Sequence, residues 1–358
     1  MKDADFSDLL LIRKGEKDLT LGGGDSALAP VVSIGEWEAR KEALKELYML
    51  TLGQAPYHDI DPDLEIISEE DCGAYLRRKL MYNTGADERI SAYMLLPKGL
   101  KGKVPAVLCI HPTTSMGKEQ TIGNDPSSNG HDRAYALHLV EQGFITFAFD
   151  LMSAGERCFS GLKDFDTAPF YEKYPKWSSR GKDLWDVSQA LDVVQSMPEV
   201  DAEKIGSIGH SQGGGITIHA MAVEPRIKAG VSSCGEWPMR ISKNPFNAAR
   251  TGWWVGRPLL RPFCVTGKEF PVQMHELLAM AAPNAIMNIS ALNDCKYTVE
   301  EKEFTGEAFR NMEENARKIY QLYGRPEAFK SITHLNGHSF LKEQRKAAYE
   351  FLKQHLFK

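Results

Sequence analysis

A chain of 358 residues, 42% apolar and 25% charged, has the make-up of an ordinary folded globular protein, which excludes a disordered or low-complexity chain. Its formal charge of −5 argues against a nucleic-acid partner, and no apolar run reaches the length of a membrane span. The opening Met1-Lys2-Asp3-Ala4-Asp5-Phe6-Ser7 lacks the apolar core of a signal peptide, and Leu9-Leu10-Leu11-Ile12 is too short to supply one. Six cysteines, at 72, 109, 158, 234, 264 and 295, form no Cys-x-x-Cys pair or disulfide-like cluster. A reducing, cytoplasmic setting is the expectation.

Residues 1–75 read as an N-terminal extension. Within it Ser33 is placed to cap a helix over Glu36 to Leu52, with Glu36 and Arg40 as a supporting pair. A Pro- and Asp-rich loop follows, from Ala55-Pro56 to Pro62-Asp63. Strand-like runs come next at Leu64–Ile67, Leu76–Tyr82 and Ile90–Leu96, the last two flanking a hairpin loop at Thr84–Glu88.

From there the pattern alternates over 76–358. Val104–Ile110, Phe144–Asp150, Ile205–Ile208, Ile227–Ser232, Ala285–Leu292 and Phe329–Thr333 read as buried strands. Helices are expected at Asp132–Gln142 (ended by Gly143), Asp183–Met197, Gly213–Val223, Thr298–Tyr323 and Phe340–Leu356. Continuous apolar strands alternating with helices predict an α/β fold, a mostly parallel sheet covered on both faces. Two stretches interrupt the alternation, 158–182 and 235–283. Both are rich in aromatics, Trp177 in the first and Trp237, Trp253 and Trp254 in the second. Both follow strands at the sheet end where open α/β folds bind ligands, so these tryptophans are candidate pocket walls or mere loop anchors.

The chemistry centres on Gly209-His210-Ser211-Gln212-Gly213. A G-x-S-x-G run between a predicted strand and a predicted helix is the context of a nucleophile turn, in which a strained backbone exposes the serine hydroxyl. A serine needs an adjacent base held by a third group, in the chain order nucleophile, acid, histidine. Asp294, just past the strand ending at Leu292, is the expected acid, with Glu300 and Glu301 as spares. His338 follows Gly337 after the last strand and is the expected base. His334 lies nearer the strand and reads as a packing or hydrogen-bonding residue. Two backbone N–H groups must hold the oxyanion. One is expected from Gln212, the other from Thr113, because Pro112 in His111-Pro112-Thr113 has no N–H. His111 then orients that loop. His210 is expected to touch the sheet edge, and His219 to be packed.

No metal and no organic cofactor is expected. His131 and His138 share a predicted helix face, but no acid or cysteine completes a ligand set. Met274-His275-Glu276 has only the first half of a zinc helix motif, because the second histidine is missing.

On these residues the chain resembles the α/β-hydrolase superfamily. It is most similar to the bacterial esterase branch that includes acetyl xylan esterases and dienelactone-hydrolase-like proteins. The likeness covers roughly 64–358. It rests on Ala92-Tyr93-Met94-Leu95-Leu96-Pro97, His111-Pro112, Asp150 to Arg157, Asp201 to Gly206, His275 to Ala279, Ala282-Pro283 and Gly337-His338. Three positions depart from it. Pro112 stands where many members have glycine, Asn284 where arginine is common, and Ser211 where true dienelactone hydrolases carry cysteine. The resemblance implies hydrolysis of a small-molecule carboxylic ester, including an acetylated sugar; the two aromatic insertions, folded over Ser211 as a cap, would favour short acyl groups. The same triad would also serve amide or carbon–carbon bond hydrolysis. A non-catalytic binding protein on a hydrolase scaffold is the reading from another class, and it would usually lack a triad member.

Overall fold

The computed structural model describes residues 11–13, 28–127, 130–235, 237–239, 244–250, 252–294 and 306–358. Glu300, Glu301, Cys295 and the first eight residues, 298–305, of the helix expected from Thr298 lie outside them. Eleven strands are described. β1 (Leu11–Arg13) and β2 (Leu28–Pro30) form an antiparallel pair. β3 (Glu65–Asp71), β4 (Tyr75–Gly85), β5 (Glu88–Pro97), β6 (Val104–Ile110), β7 (Ile145–Phe149), β8 (Val200–His210), β9 (Ile227–Ser233), β10 (Ala285–Ala291) and β11 (Phe329–His334) build one sheet. Its order is β11-β10-β9-β8-β6-β7-β5-β4-β3. The six strands from β11 to β7 run parallel, and β5, β4 and β3 continue antiparallel. This is the expected α/β architecture, with helices packed around a mostly parallel sheet.

The centre of the sheet is its driest part. Every residue of β7 and β10 is buried, as is every residue of β6 after Val104. The edge strand β3 is the opposite: all seven residues of Glu-Ile-Ile-Ser-Glu-Glu-Asp are exposed, and its acidic side chains discourage edge-to-edge pairing. The β4–β5 turn is tighter than expected, because β4 runs to Gly85 and β5 starts at Glu88. The helix expected over 132–142 is broken instead into Gly130–Arg133 and Tyr135–Val140, with Ala134 at ψ 42 between them. Gly143 ends the second piece at φ 93, a conformation glycine adopts without steric cost.

The N-terminal helix spans Ile34–Leu52, and Ser33 caps it by accepting from Glu36 N. Glu36 does not pair with Arg40. Its carboxylate turns back to accept from Val32 N and the Ser33 hydroxyl, a reciprocal cap. Arg40 reaches across instead to Glu276 at 3.0 Å, and Lys41 Nζ donates to Ala282 O. Tyr48 OH meets His219 Nδ1 at 2.6 Å on the helix that follows Ser211. This segment is therefore clamped to the catalytic body, and β3, inside the expected extension, is hydrogen-bonded into the main sheet.

Helix Gly306–Leu322 places Glu313 beneath the sheet, only 3% exposed, where Asn288 Nδ2 donates to its Oε1 at 3.0 Å. Burial pushes this carboxyl up to about 7, above its ordinary value near 4.5. A folded-state pKa above the unfolded one means the native protein binds the proton more tightly. The contribution is full below about pH 4.5 and is lost as pH rises through 7. Unfolding in urea should therefore show stability falling between pH 5 and pH 8, with Glu313→Gln removing on the order of 2 kcal/mol of that fall. An unchanged pH slope in the variant would show that Glu313 is not the group responsible.

Candidate active site

β8 ends at His210, and helix Gln212–Val223 begins one residue after Ser211. Ser211 itself sits at φ 56, ψ −119, a conformation rare for any residue with a side chain. Close packing holds it there. A Cβ on Gly209 would come within 2.1 Å of Gly213 C, and one on Gly213 within 2.0 Å of Ile110 O. Only glycines let β8, the helix and the end of β6 approach this closely. Ser211 N donates to Ser233 O at 2.7 Å, which ties the turn to β9. Gln212 opens the helix, where first-turn N–H groups have no intrahelical acceptor.

The loop after β6 lies alongside. Thr113 Oγ1 donates to Gln212 Oε1 at 3.1 Å, bringing the two expected oxyanion residues together. His111 is fully buried and bridges two loops. Leu151 N donates to its Nε2 at 2.9 Å, so Nδ1 carries the proton and donates to Pro112 O at 2.6 Å. Burial keeps the ring neutral by holding its pKa below the usual histidine value.

The loop is fixed further by Asp150, which accepts from Lys118 N, Lys118 Nζ and Glu156 N at 2.7, 2.6 and 3.0 Å. Gly117 and Gly155 close over this carboxylate so tightly that a Cβ on either would meet it at 2.0 and 2.4 Å.

Across the turn, His338 Nδ1 and Asp294 Oδ2 are 2.6 Å apart, with Asp294 buried. The His338 ring lies 4.8 Å, centroid to centroid, from His210, the neighbour of Ser211. His210 is therefore not at the sheet edge. It is buried in the middle of the sheet, its Nδ1 is 3.0 Å from Ser233 Oγ, and it stacks on Phe340. His334 makes a local contact, accepting from Asn336 N at 3.2 Å. Asn293 is the residue that sequence reasoning missed. Its Oδ1 accepts from Gly337 N at 2.8 Å and its Nδ2 donates to Leu335 O at 2.9 Å, lacing the acid loop to the histidine loop. Its place beside Asp294 was the available signal.

Among the described residues, one set of metal-type donors gathers, Cys234, Asp294 and His338. Burial and the neighbouring Asp294 push the Cys234 thiol up to about 12, so in the metal-free protein it is a neutral neighbour of the pair.

The two insertions are hydrogen-bonded to each other, and both reach the cleft. Thr167 N and Oγ1 both donate to Trp253 O, Tyr171 OH donates to Val255 O, and Arg180 N donates to Gly256 O. The cleft over Ser211 is lined by Arg180, His219, Trp237, Asn247, Arg257 and Met274, among others. Of the four tryptophans expected there, Trp237 alone lines it. Trp177 packs into a separate cluster with Met152 and Phe170. Trp254 stacks on Phe165 at 4.6 Å and anchors the loop, and the Arg250 guanidinium lies over its ring at 3.5 Å. Trp253 is 52% exposed, under Lys163. In this second insertion the aromatics chiefly join one loop to the other. His219, expected only to be packed, is both buried and part of the cleft.

Residues 35–235, more than half the chain, match the acetyl xylan esterase (AXE1) family. The chain belongs to that family. This esterase is a carboxylic ester hydrolase, and the matched span starts within the N-terminal helix. The Bacillus subtilis (strain 168) protein designated hydrolase YtaP is 24% identical over 322 residues, covering 88% of this esterase and 100% of its own length. A glucuronoyl esterase from Solibacter usitatus superposes with a TM-score of 0.69 at 18% identity, over 91% of this chain and 95% of its own. A promiscuous CE15 esterase from a marine bacterial metagenome superposes with a TM-score of 0.70 at 16% identity, over 98% and 100%. These two structures share the fold with the present chain.

Removing the Asp150 carboxylate leaves buried Lys118 with Glu156, at 3.4 Å, as its remaining ion-pair partner. Asp150→Ala should cost about 3–5 kcal/mol in urea unfolding. A loss under about 1 kcal/mol would mean that the pair does not hold the loop.

Proposed function

We propose that the esterase uses Ser211 as nucleophile, His338 as base, Asp294 as the group that orients it, and the Thr113 and Gln212 amides as oxyanion donors. The observation that carries this reading is the His338–Asp294 contact at 2.6 Å beside a serine held at φ 56 at a helix start. With Nδ1 given to Asp294, His338 keeps Nε2 for the serine proton. Ser211 Oγ attacks the ester carbonyl as that proton moves to His338. The carbonyl oxygen gains negative charge at the two amides. Collapse breaks the bond to the alcohol, which leaves with the proton from His338, and the acyl group stays on Ser211. Water, deprotonated by His338, attacks the acyl carbon; the bond to Ser211 Oγ then breaks, Oγ takes the proton back from His338, and the acid leaves. Asp294 keeps the histidine in one tautomer and stabilises the imidazolium.

Ser211→Ala and His338→Ala should each lower kcat by several orders of magnitude, Asp294→Asn by somewhat less, and His334→Ala by little. Fluorophosphonate labelling followed by mass spectrometry should place the adduct on Ser211. An adduct elsewhere, or His334→Ala outdoing His338→Ala, would overturn the assignment.

The substrate in this reading is a small ester with a short acyl group on a carbohydrate-like alcohol. The family match supports it, as does a cleft walled by both insertions. Activity on p-nitrophenyl esters from acetyl to decanoyl should be highest at the short end. Each added methylene should cost about 1–3 kcal/mol once the chain meets the wall. Trp237→Ala should shift the preference toward longer chains. A parent optimum at octanoyl or beyond would rule out the short-acyl reading.

A further inference from the structure

The cleft beside Ser211 carries more positive charge than cleavage of a neutral ester requires. Arg257 is 5% exposed, yet its described partners are modest. Its Nε donates to Ala248 O at 3.0 Å, and its Nη2 reaches Met239 Sδ, a weak acceptor, at 3.9 Å. Among the described residues no carboxylate pairs with it. Its electrostatic neighbours are Tyr48, Arg180 and Cys264. Tyr48 is no counter-ion, because burial pushes its phenol up to about 12. Arg180 lines the same cleft, and its Nη1 is buried with no hydrogen-bond acceptor. Asp183 forms an ion pair with that nitrogen at 3.6 Å, too long for a hydrogen bond. His219 adds no negative charge, since burial and both arginines hold it neutral.

Guanidinium groups taken out of water are normally matched by a carboxylate or a ligand. Here two lie on one cleft wall, and among the described residues Arg257 has no matching acid while Arg180 has one only at 3.6 Å. Their planar forks suit the two oxygens of a carboxylate.

We infer that Arg257 and Arg180 form an anion subsite, so that the preferred substrate is an ester whose acyl or alcohol half carries a free carboxylate. This rests on the reading of Ser211 as the nucleophile, since the subsite shares its cleft. The ester bond breaks by the steps given above. The substrate's carboxylate is not consumed and only positions the ester.

The test compares kcat/KM for paired substrates. Monomethyl glutarate against methyl pentanoate places the charge on the acyl side. An acetylated hexuronate against the matching acetylated hexose places it on the alcohol side. The anionic member should win by at least about tenfold on one of the two pairs, which also tells which half carries the charge. That ratio should fall at least about tenfold in Arg257→Met and in Arg180→Met, with Arg257→Lys retaining part of it. Glutarate should compete with p-nitrophenyl acetate for the parent enzyme, while dimethyl glutarate should compete far less. If Arg257→Met does not fold, Arg180→Met and the glutarate competition decide. Equal rates on both pairs, with p-nitrophenyl acetate still cleaved, overturn the subsite and leave the esterase reading standing. So does an anion preference that survives both substitutions. Failure on every ester, p-nitrophenyl acetate included, overturns the nucleophile assignment and the subsite with it.

Discussion

The left-handed backbone at Ser211 is the constraint on which the rest of the molecule depends. A residue with a Cβ does not stay at φ 56 unless its surroundings hold it there. Three close approaches do so. β8 runs into the helix with Gly209 against Gly213, Gly213 lies against the end of β6, and Ser211 N is bound to Ser233 O of β9. The turn is thus a junction of three adjacent parallel strands and one helix. Any shift of β6 or β9 relative to β8 would either relax the serine or collide with a glycine. This explains why the centre of the sheet is fully buried and apolar, while the far edge at β3 is exposed and charged. Precision is needed only where the strands converge on the turn.

Around that junction the loops are positioned by buried charge more than by apolar contact. Asp150 holds the loop leading from Thr113, and Arg157 holds the loop after it. The Arg157 guanidinium reaches Asp186 at 2.7 Å, Glu88 at 2.8 Å and the Asp150 carbonyl at 2.8 Å. Lys182 joins the same acids, Asp186 at 2.5 Å and Glu88 at 2.6 Å. The β4–β5 hairpin, helix Ser179–Ser196 and the loop after β7 are therefore one electrostatic unit. Such pairs add little net stability over apolar packing, but they have only one satisfied arrangement. An oxyanion donor needs placement more than it needs a deep energy well.

The sheet, the turn at Ser211 and the meeting of Asp294 with His338 were legible in the sequence because each follows from local rules. Apolar runs mark buried strands, glycines mark the turn, and chain order separates Asp294 and His338 from their neighbours. Whatever depended on long-range pairing was not legible. Glu36 was expected to meet Arg40 four residues on, yet Arg40 meets Glu276, 236 residues away. His210 was expected at the sheet edge because nothing in its own segment reveals that β9 and β10 lie beyond β8. The tryptophans were weighed by size and not by location. Trp254 and Trp177 spend their faces on Phe165 and Phe170, and only Trp237 remains for the cleft. Arginines 180 and 257 attracted no attention in the sequence, since a lone arginine in a loop is usually solvated.

Two buried arginines in one chain make a useful contrast. Arg157 is surrounded by acids, and they hold its guanidinium more firmly protonated than an arginine in water. Arg257 is equally removed from solvent, but burial without a described acid brings it down to about 10. Both remain cations at neutral pH. The first has its counter-charges built into the fold, so it is complete when the chain has folded. The second lacks them and opens onto the cleft that contains Ser211. An uncompensated buried cation costs free energy in the empty protein. That cost is recovered only when something negative occupies the space, and in this molecule the space adjoins the serine. A site arranged in this way would spend the electrostatic attraction on substrate binding and orientation, leaving the proposed base and oxyanion amides to act on the ester bond.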